Sequence, residues 1–193
     1  MTINPDNKFY PFLKKNFNEI VTFLVANGKK KQVKAGEVIL KEGSECDFFF
    51  YIDYGCFRAY RYIGDKEVNI GFSFKGDLDT CPYSFINDLP SLDIIEALSD
   101  SSVVVITKSQ LVEFERNNPL IRNFVYYMLS SYIETLINRA FDFKTLTAEE
   151  IYNGMLTRQP QELSKVPLKH LASFLGITPE RLSRIRKKQA KLT

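Results

Sequence analysis

The feature that most restricts this chain is a short stretch near its C-terminus, Leu168–Lys187. Two helices that cross closely need a small residue at the crossing and a residue tolerant of positive φ in the turn. They also need apolar side chains at fixed places to lock the pair. Ala172 meets the first demand and Gly176, four residues later, the second. Leu171, Leu175, Ile177, Leu182 and Ile185 supply the apolar lock, and Thr178-Pro179 is a good N-cap and first turn for the second helix. That helix then carries Glu180, Arg181, Ser183, Arg184, Arg186, Lys187 and Lys188 on its outward faces. Side chains of these types read base edges and grip phosphates in the major groove. The pattern points to a helix-turn-helix that binds double-stranded DNA; a generic helical hairpin with a solvated basic face is the plainer alternative.

Charge favours the first reading. The net charge of +3 conceals an asymmetry: from Lys165 to Thr193 there are eight Lys or Arg against one acid, Glu180. The first 164 residues carry 18 basic and 22 acidic side chains. A basic end on a slightly acidic body suits a polyanion, although a solvated tail would look similar on charge alone. The single histidine, His170, falls on the first of the two helices. With no second His and no nearby Cys it is not a metal ligand. We expect it to contact a phosphate or to face solvent.

Other function classes find little support. The apolar fraction of 45% and charged fraction of 25% describe an ordinary globular chain. No apolar run approaches the roughly 18 residues needed to span a bilayer. Met1 to Tyr10 has neither the basic segment nor the apolar stretch of an export signal. Cys46, Cys56 and Cys81 are odd in number and widely spaced. They fit neither a disulfide framework nor a zinc or iron–sulfur site, and read as plain structural thiols in a cytoplasmic protein. There is no phosphate loop, nucleophile elbow or paired metal-ligand motif, so we expect no enzyme, metal or cofactor.

Between the ends the texture changes twice. Phe9 to Asn27 places Leu13, Phe17, Ile20, Val21 and Leu24 at helical spacing. After Gly28, short β-rich runs follow at Glu37–Lys41, Asp47–Asp53, Cys56–Ile63, Glu67–Phe74, Asp93–Leu98 and Ser102–Thr107. Gly36, Gly43, Gly55, Gly64-Asp65 and Gly76 punctuate them, which predicts an antiparallel roll or barrel. Thr107-Lys108-Ser109-Gln110 has the form of a capping box, and Asn118-Pro119 opens another helix. That helix runs to about Phe143 without Gly or Pro, roughly 36 Å in length. Val125, Met128, Leu129, Tyr132, Ile133, Leu136, Ile137 and Ala140 form an apolar stripe along it. Something must cover the stripe: its own roll or a second copy. Phe143 to Thr147 reads as a hinge, and Thr147-Ala148-Glu149-Glu150 caps a helix ending near Arg158, before Pro160.

Taken in order, these segments resemble the CRP/FNR family of bacterial regulators over nearly the whole chain. Lys34–Gly43, Phe50–Gly55 and Phe74-Lys75-Gly76-Asp77 resemble the strand pair, strand-and-glycine signature and glycine turn of a cyclic-nucleotide-binding β-roll. The resemblance implies an α+β fold: an antiparallel β-roll of jelly-roll type over 1–116, a dimerisation helix and hinge over 117–143, and a winged-helix-like helix-turn-helix domain over 144–193. It implies a homodimer, an inverted-repeat operator, RNA polymerase as a further partner, and Glu180, Ser183 and Arg184 facing bases.

Two departures stand out. In cyclic-AMP-binding members the cassette carries a Gly-Glu pair for the ribose and an Arg before Ser or Thr for the phosphate; here those places hold Thr80-Cys81 and Ser91-Leu92. No Arg occurs between Arg61 and Arg116. A buried phosphate without a cationic partner loses its main bonds. We therefore expect an effector pocket around Gly76, Asp77, Thr80, Cys81, Tyr83 and Ser91 that does not take cyclic AMP. The second departure is the wing, expected to be truncated or absent, with Arg186-Lys187-Lys188 making its phosphate contacts. A signalling or scaffold protein with an interaction module at its helical end is the competing reading.

Overall fold

The computed structural model describes residues 10–189, with side chains from Asn16 onward. The readings made above for Phe9, the Leu13 side chain and the basic residue Lys191 lie outside these residues. Helix α1 (Tyr10–Asn27) leads into eight strands: β1 (Lys29–Val33), β2 (Val38–Leu40), β3 (Phe48–Tyr54), β4 (Cys56–Ile63), β5 (Lys66–Phe74), β6 (Leu78–Asp79), β7 (Ile94–Ala97) and β8 (Ser101–Thr107). The short helix α2 (Pro82–Asn87) interrupts them. Helices α3 (Lys108–Asn117), α4 (Pro119–Thr145), α5 (Ala148–Arg158), α6 (Pro160–Ser164), α7 (Leu168–Phe174) and α8 (Pro179–Gln189) follow.

The strands form two four-stranded antiparallel sheets, ordered β1-β8-β3-β6 and β2-β7-β4-β5, which face each other as a roll. Val33, Leu40, Phe50, Ile52, Phe57, Ile95, Ala97 and Val103 fill the space between them. The middle of strand β8, from Val103 to Ile106, is continuously apolar because both of its faces are covered. Val103 and Val105 point into the roll, whereas Val104 and Ile106 meet Ile20 and Leu24 of α1 and Phe124 and Tyr127 of α4. At Gly55, φ is +114°, and a Cβ there would overlap the Ser101 side chain, so the β3–β4 corner requires glycine.

The sequence missed two strands. β1 reads Lys-Lys-Lys-Gln-Val and exposes its first four residues, a charged edge that an alternating pattern cannot reveal. β6 is two residues long and exists only by pairing with β3. Both expected capping boxes form, at Thr107/Gln110 and Thr147/Glu150. Helix α4 runs two residues beyond the expected end, so the hinge narrows to Leu146 and the N-cap Thr147. Residues 148–189 contain helices only.

The stripe on α4 divides by position. Ile121, Phe124 and Tyr127 are buried against α1 and the roll, and Val125 and Met128 are half-buried in the same cluster. Val125 and Met128 therefore belong to the chain's own core, a correction to their assignment to a partner face. Farther along, Ile133, Leu136, Ile137 and Phe141 are exposed, as is Ala140, while Leu129 is half-buried.

Candidate nucleic-acid interface and sensor pocket

The helix-turn-helix is built as its spacing requires. Leu171, Ala172, Leu175, Leu182 and Ile185 are buried together with Ile151, Tyr152, Leu163 and Val166. The Ile177 amide reaches back to the Ala172 carbonyl at 3.0 Å, and Gly176 takes φ of +66°, which ends α7 and turns the chain. Thr178 starts α8 by accepting from the Arg181 amide at 3.3 Å. Thr178, Glu180, Arg181, Arg184, Lys187 and Lys188 are exposed, and the spacing of 180, 184 and 187 lays three of them along one face. The amide-rich first turn, the Thr178 hydroxyl and nearby Arg184 hold the Glu180 carboxyl below the usual carboxylate range. Ser183 is half-buried.

Two of the expected phosphate contacts are otherwise engaged. Arg186 is half-buried, donates from Nε to the Tyr152 hydroxyl at 3.1 Å and stacks over that ring. Lys188 pairs with Glu149 at 2.9 Å. Both tie α8 to α5, because the first turn of α5 brings its acids beside the last turn of α8. Among the described residues, Arg181, Arg184 and Lys187 are the basic groups of the exposed α8 face that make no ion pair.

His170 departs most from its expected place. It is 6% exposed, and its helix lies against β5 of the roll. Arg58 of β4, 4% exposed, donates from Nη1 to His170 Nδ1 at 2.9 Å. The same guanidinium pairs with Glu67 at 2.5 Å and Glu96 at 2.8 Å and lies over the Tyr60 ring. Burial, with Arg58 and Lys169 adding to it, pushes His170 down to about 4. Helical periodicity showed only that position 170 lies off the motif's own core. It could not show that a sheet lies on that side.

The expected pocket residues divide as well. Gly76 and Asp77 make the turn after β5, where the Gly76 amide donates to the Ile52 carbonyl at 2.8 Å. Thr80 donates to the Phe48 carbonyl at 2.8 Å, and Cys81 and Ser91 are buried and joined at 3.3 Å. Tyr83, on the outer side of α2, is 51% exposed. Sequence reasoning missed Arg61, which crosses from β4 to pair with Asp93, and Asp79, which accepts from Ser73 at 2.6 Å. Burial, reinforced by Asp77 and Asp93, raises Asp79 to about 6. Tyr132 of α4 lies within electrostatic reach of Asp93, Cys81 and Asp79. Among the described residues, no group of three or more His, Cys, Asp or Glu side chains is placed to hold a metal. No helix among them is long and apolar enough to cross a membrane.

The sequence profile of the cyclic nucleotide-binding domain family matches residues 30–118, the roll together with α3. FixK2 from Bradyrhizobium japonicum superposes with a TM-score of 0.74 at 16% identity, over 86% of this chain and 85% of that one. The chain shares the CRP/FNR fold, with a roll similar to a cyclic nucleotide-binding domain. A c-di-GMP-responsive global regulator, CLP, from Xanthomonas campestris matches this CRP/FNR fold at 17% identity and TM-score 0.68, over 91% of this chain and 92% of that one. A Crp/Fnr-family transcriptional regulator from Eubacterium rectale matches it at 18% and 0.65, over 96% and 89%. No curated protein sequence matches the chain.

Proposed function

We propose that the chain is a homodimeric, sequence-specific DNA-binding transcription regulator whose roll does not bind cyclic AMP. The exposed row on α8, with Arg181, Arg184 and Lys187 making no ion pair among the described residues, carries the reading. An apolar face at Ile133, Ile137 and Phe141 supports pairing of α4 with its symmetry mate, since two copies bury both faces at once. Against a cyclic phosphate stand the carboxyls Asp79 and Asp93, with Arg61 already committed to Asp93. A gel-shift series on promoter fragments at several salt concentrations tests DNA binding. Affinity that falls linearly on a log–log salt plot, with one fragment bound well above random DNA, is the expected result; no shift at low salt would refute it. Calorimetric titration with cyclic AMP should give no heat of binding, and a micromolar site on each chain would overturn that part.

A further inference from the structure

The groups around His170 belong to two units of the chain, and nothing in the reading of DNA uses them. Helix α7 turns His170 and Ser173 onto the edge strand β5, with Phe174 beside them at the margin of the helix-turn-helix core. There the Asn69 amide donates to Ser173 Oγ at 3.1 Å, and Ser173 Oγ donates to the Glu67 carbonyl at 3.1 Å. One side chain thus closes an edge that strand pairing leaves open. Phe174 packs on Phe72 of β5 and Phe143 of α4, and Arg139 of α4 lies over its ring while donating to the Ile70 carbonyl. At the centre sits Arg58, whose cation is held by Glu67 of β5 and Glu96 of β7 and whose remaining reach goes to His170.

We infer that the Arg58–His170 contact is a proton-sensitive latch that docks the helix-turn-helix on the roll and lets it go when His170 takes up a proton. The geometry fixes the direction. Arg58 Nη1 is a donor, and Asn69 Nδ2 also approaches Nδ1, at 3.5 Å, so Nδ1 must be the acceptor of a neutral ring. A proton arriving from solvent at Nδ1 turns acceptor into donor and sets imidazolium against guanidinium. Glu67 and Glu96 favour the imidazolium, while burial, Arg58 and Lys169 disfavour it and prevail. In the docked state the ring titrates near 4, against 6.5 when free in water. Docking is therefore fully favoured above pH 6.5 and weakens as pH falls toward 4. Only Leu146 lies between α4 and the N-cap of α5, so release swings a domain on a short tether. The reading helix moves with α7, to which it is packed.

The test uses the Asn69 amide of the full-length protein, because its partner lies across the docking surface. Its hydrogen exchange is followed by nuclear magnetic resonance and corrected for the intrinsic chemical rate. Protection should fall roughly 30-fold between pH 7.5 and pH 5. His170→Gln keeps an acceptor that does not titrate and should hold protection level across that range. His170→Asn serves as a second such variant if the first does not fold. Ser173→Ala should expose the amide at both pH values. Wild-type protection that does not change with pH, an equal fall in His170→Gln, or protection surviving in Ser173→Ala would each overturn the latch. None of these readouts involves DNA, so the latch and the regulator reading stand or fall separately.

Discussion

Within the reading helix, neighbouring cations differ in what they touch, and that difference predicts different outcomes. Arg184 is exposed and beside Glu180, so its loss to Ala should cost about 1–3 kcal/mol of specific binding and relax preference at one base pair. Lys187→Ala should weaken specific and random DNA alike and lower the salt slope by about one. Arg186→Ala should leave that slope unchanged and lower the melting temperature, because the guanidinium lies on Tyr152. Binding selections on randomised half-sites at two salt concentrations, with melts on the same variants, separate the three. An Arg184→Ala protein with full base preference would move base reading to Arg181. Asp79 gives a second residue-scale prediction. Its folded-state pKa of about 6 exceeds the free value of 3.8, so protonation stabilises the folded form as pH falls and the benefit is lost as pH rises through 6. Asp79→Asn should remove about 2 kcal/mol of that pH dependence between pH 4 and pH 7.5, measured by urea melts at each pH. Identical pH profiles would show that the carboxyl is ionised throughout.

Among the elements, α4 performs two tasks along one length. Its first half, through Ile121, Phe124 and Tyr127, closes the core shared by α1 and the roll. Its second half leaves Ile133 and Ile137 more than half exposed, at 56% and 63%. Replacing both by Asp should yield a monomer with an unaltered roll, since neither side chain belongs to the core. Sedimentation of the variant beside the wild type measures this, and a monomeric wild type at micromolar concentration would refute pairing. The same substitution at Phe124 should instead unfold the N-terminal half. The elements also show where sequence reading works. Both capping boxes, the Asn118-Pro119 start and six of the eight strands follow from local patterns, because each is settled within a few residues. β1 and β6 do not, since a lysine-rich edge and a two-residue pairing are stabilised by the strand beside them.

For the whole molecule, the core of the C-terminal helices is continuous with Cys56 and Phe74 of the roll, so in the docked state α8 is held at one place relative to the roll. In the proposed two-fold dimer, two α8 helices would meet successive major grooves about 34 Å apart. The operator should be an inverted repeat with half-site centres one helical turn apart. Footprinting on inserted half-turn spacers measures this, and equal affinity at both spacings would contradict a rigid pair of heads.

Residue order alone determined the glycine-punctuated roll, the long helix and the helix-turn-helix, for periodicity and caps act over a few residues and leave their mark locally. It also determined which cations lie on α8. Tertiary structure decided which of them are free, because Tyr152 and Glu149 approach from a helix more than thirty positions away. It decided that Arg61 meets Asp93, bringing an arginine beside a segment that holds none of its own. Above all it decided the place of His170. A periodic pattern separates an inner face from an outer one, yet only the packing of β5 against α7 turns that outer face into a second interior.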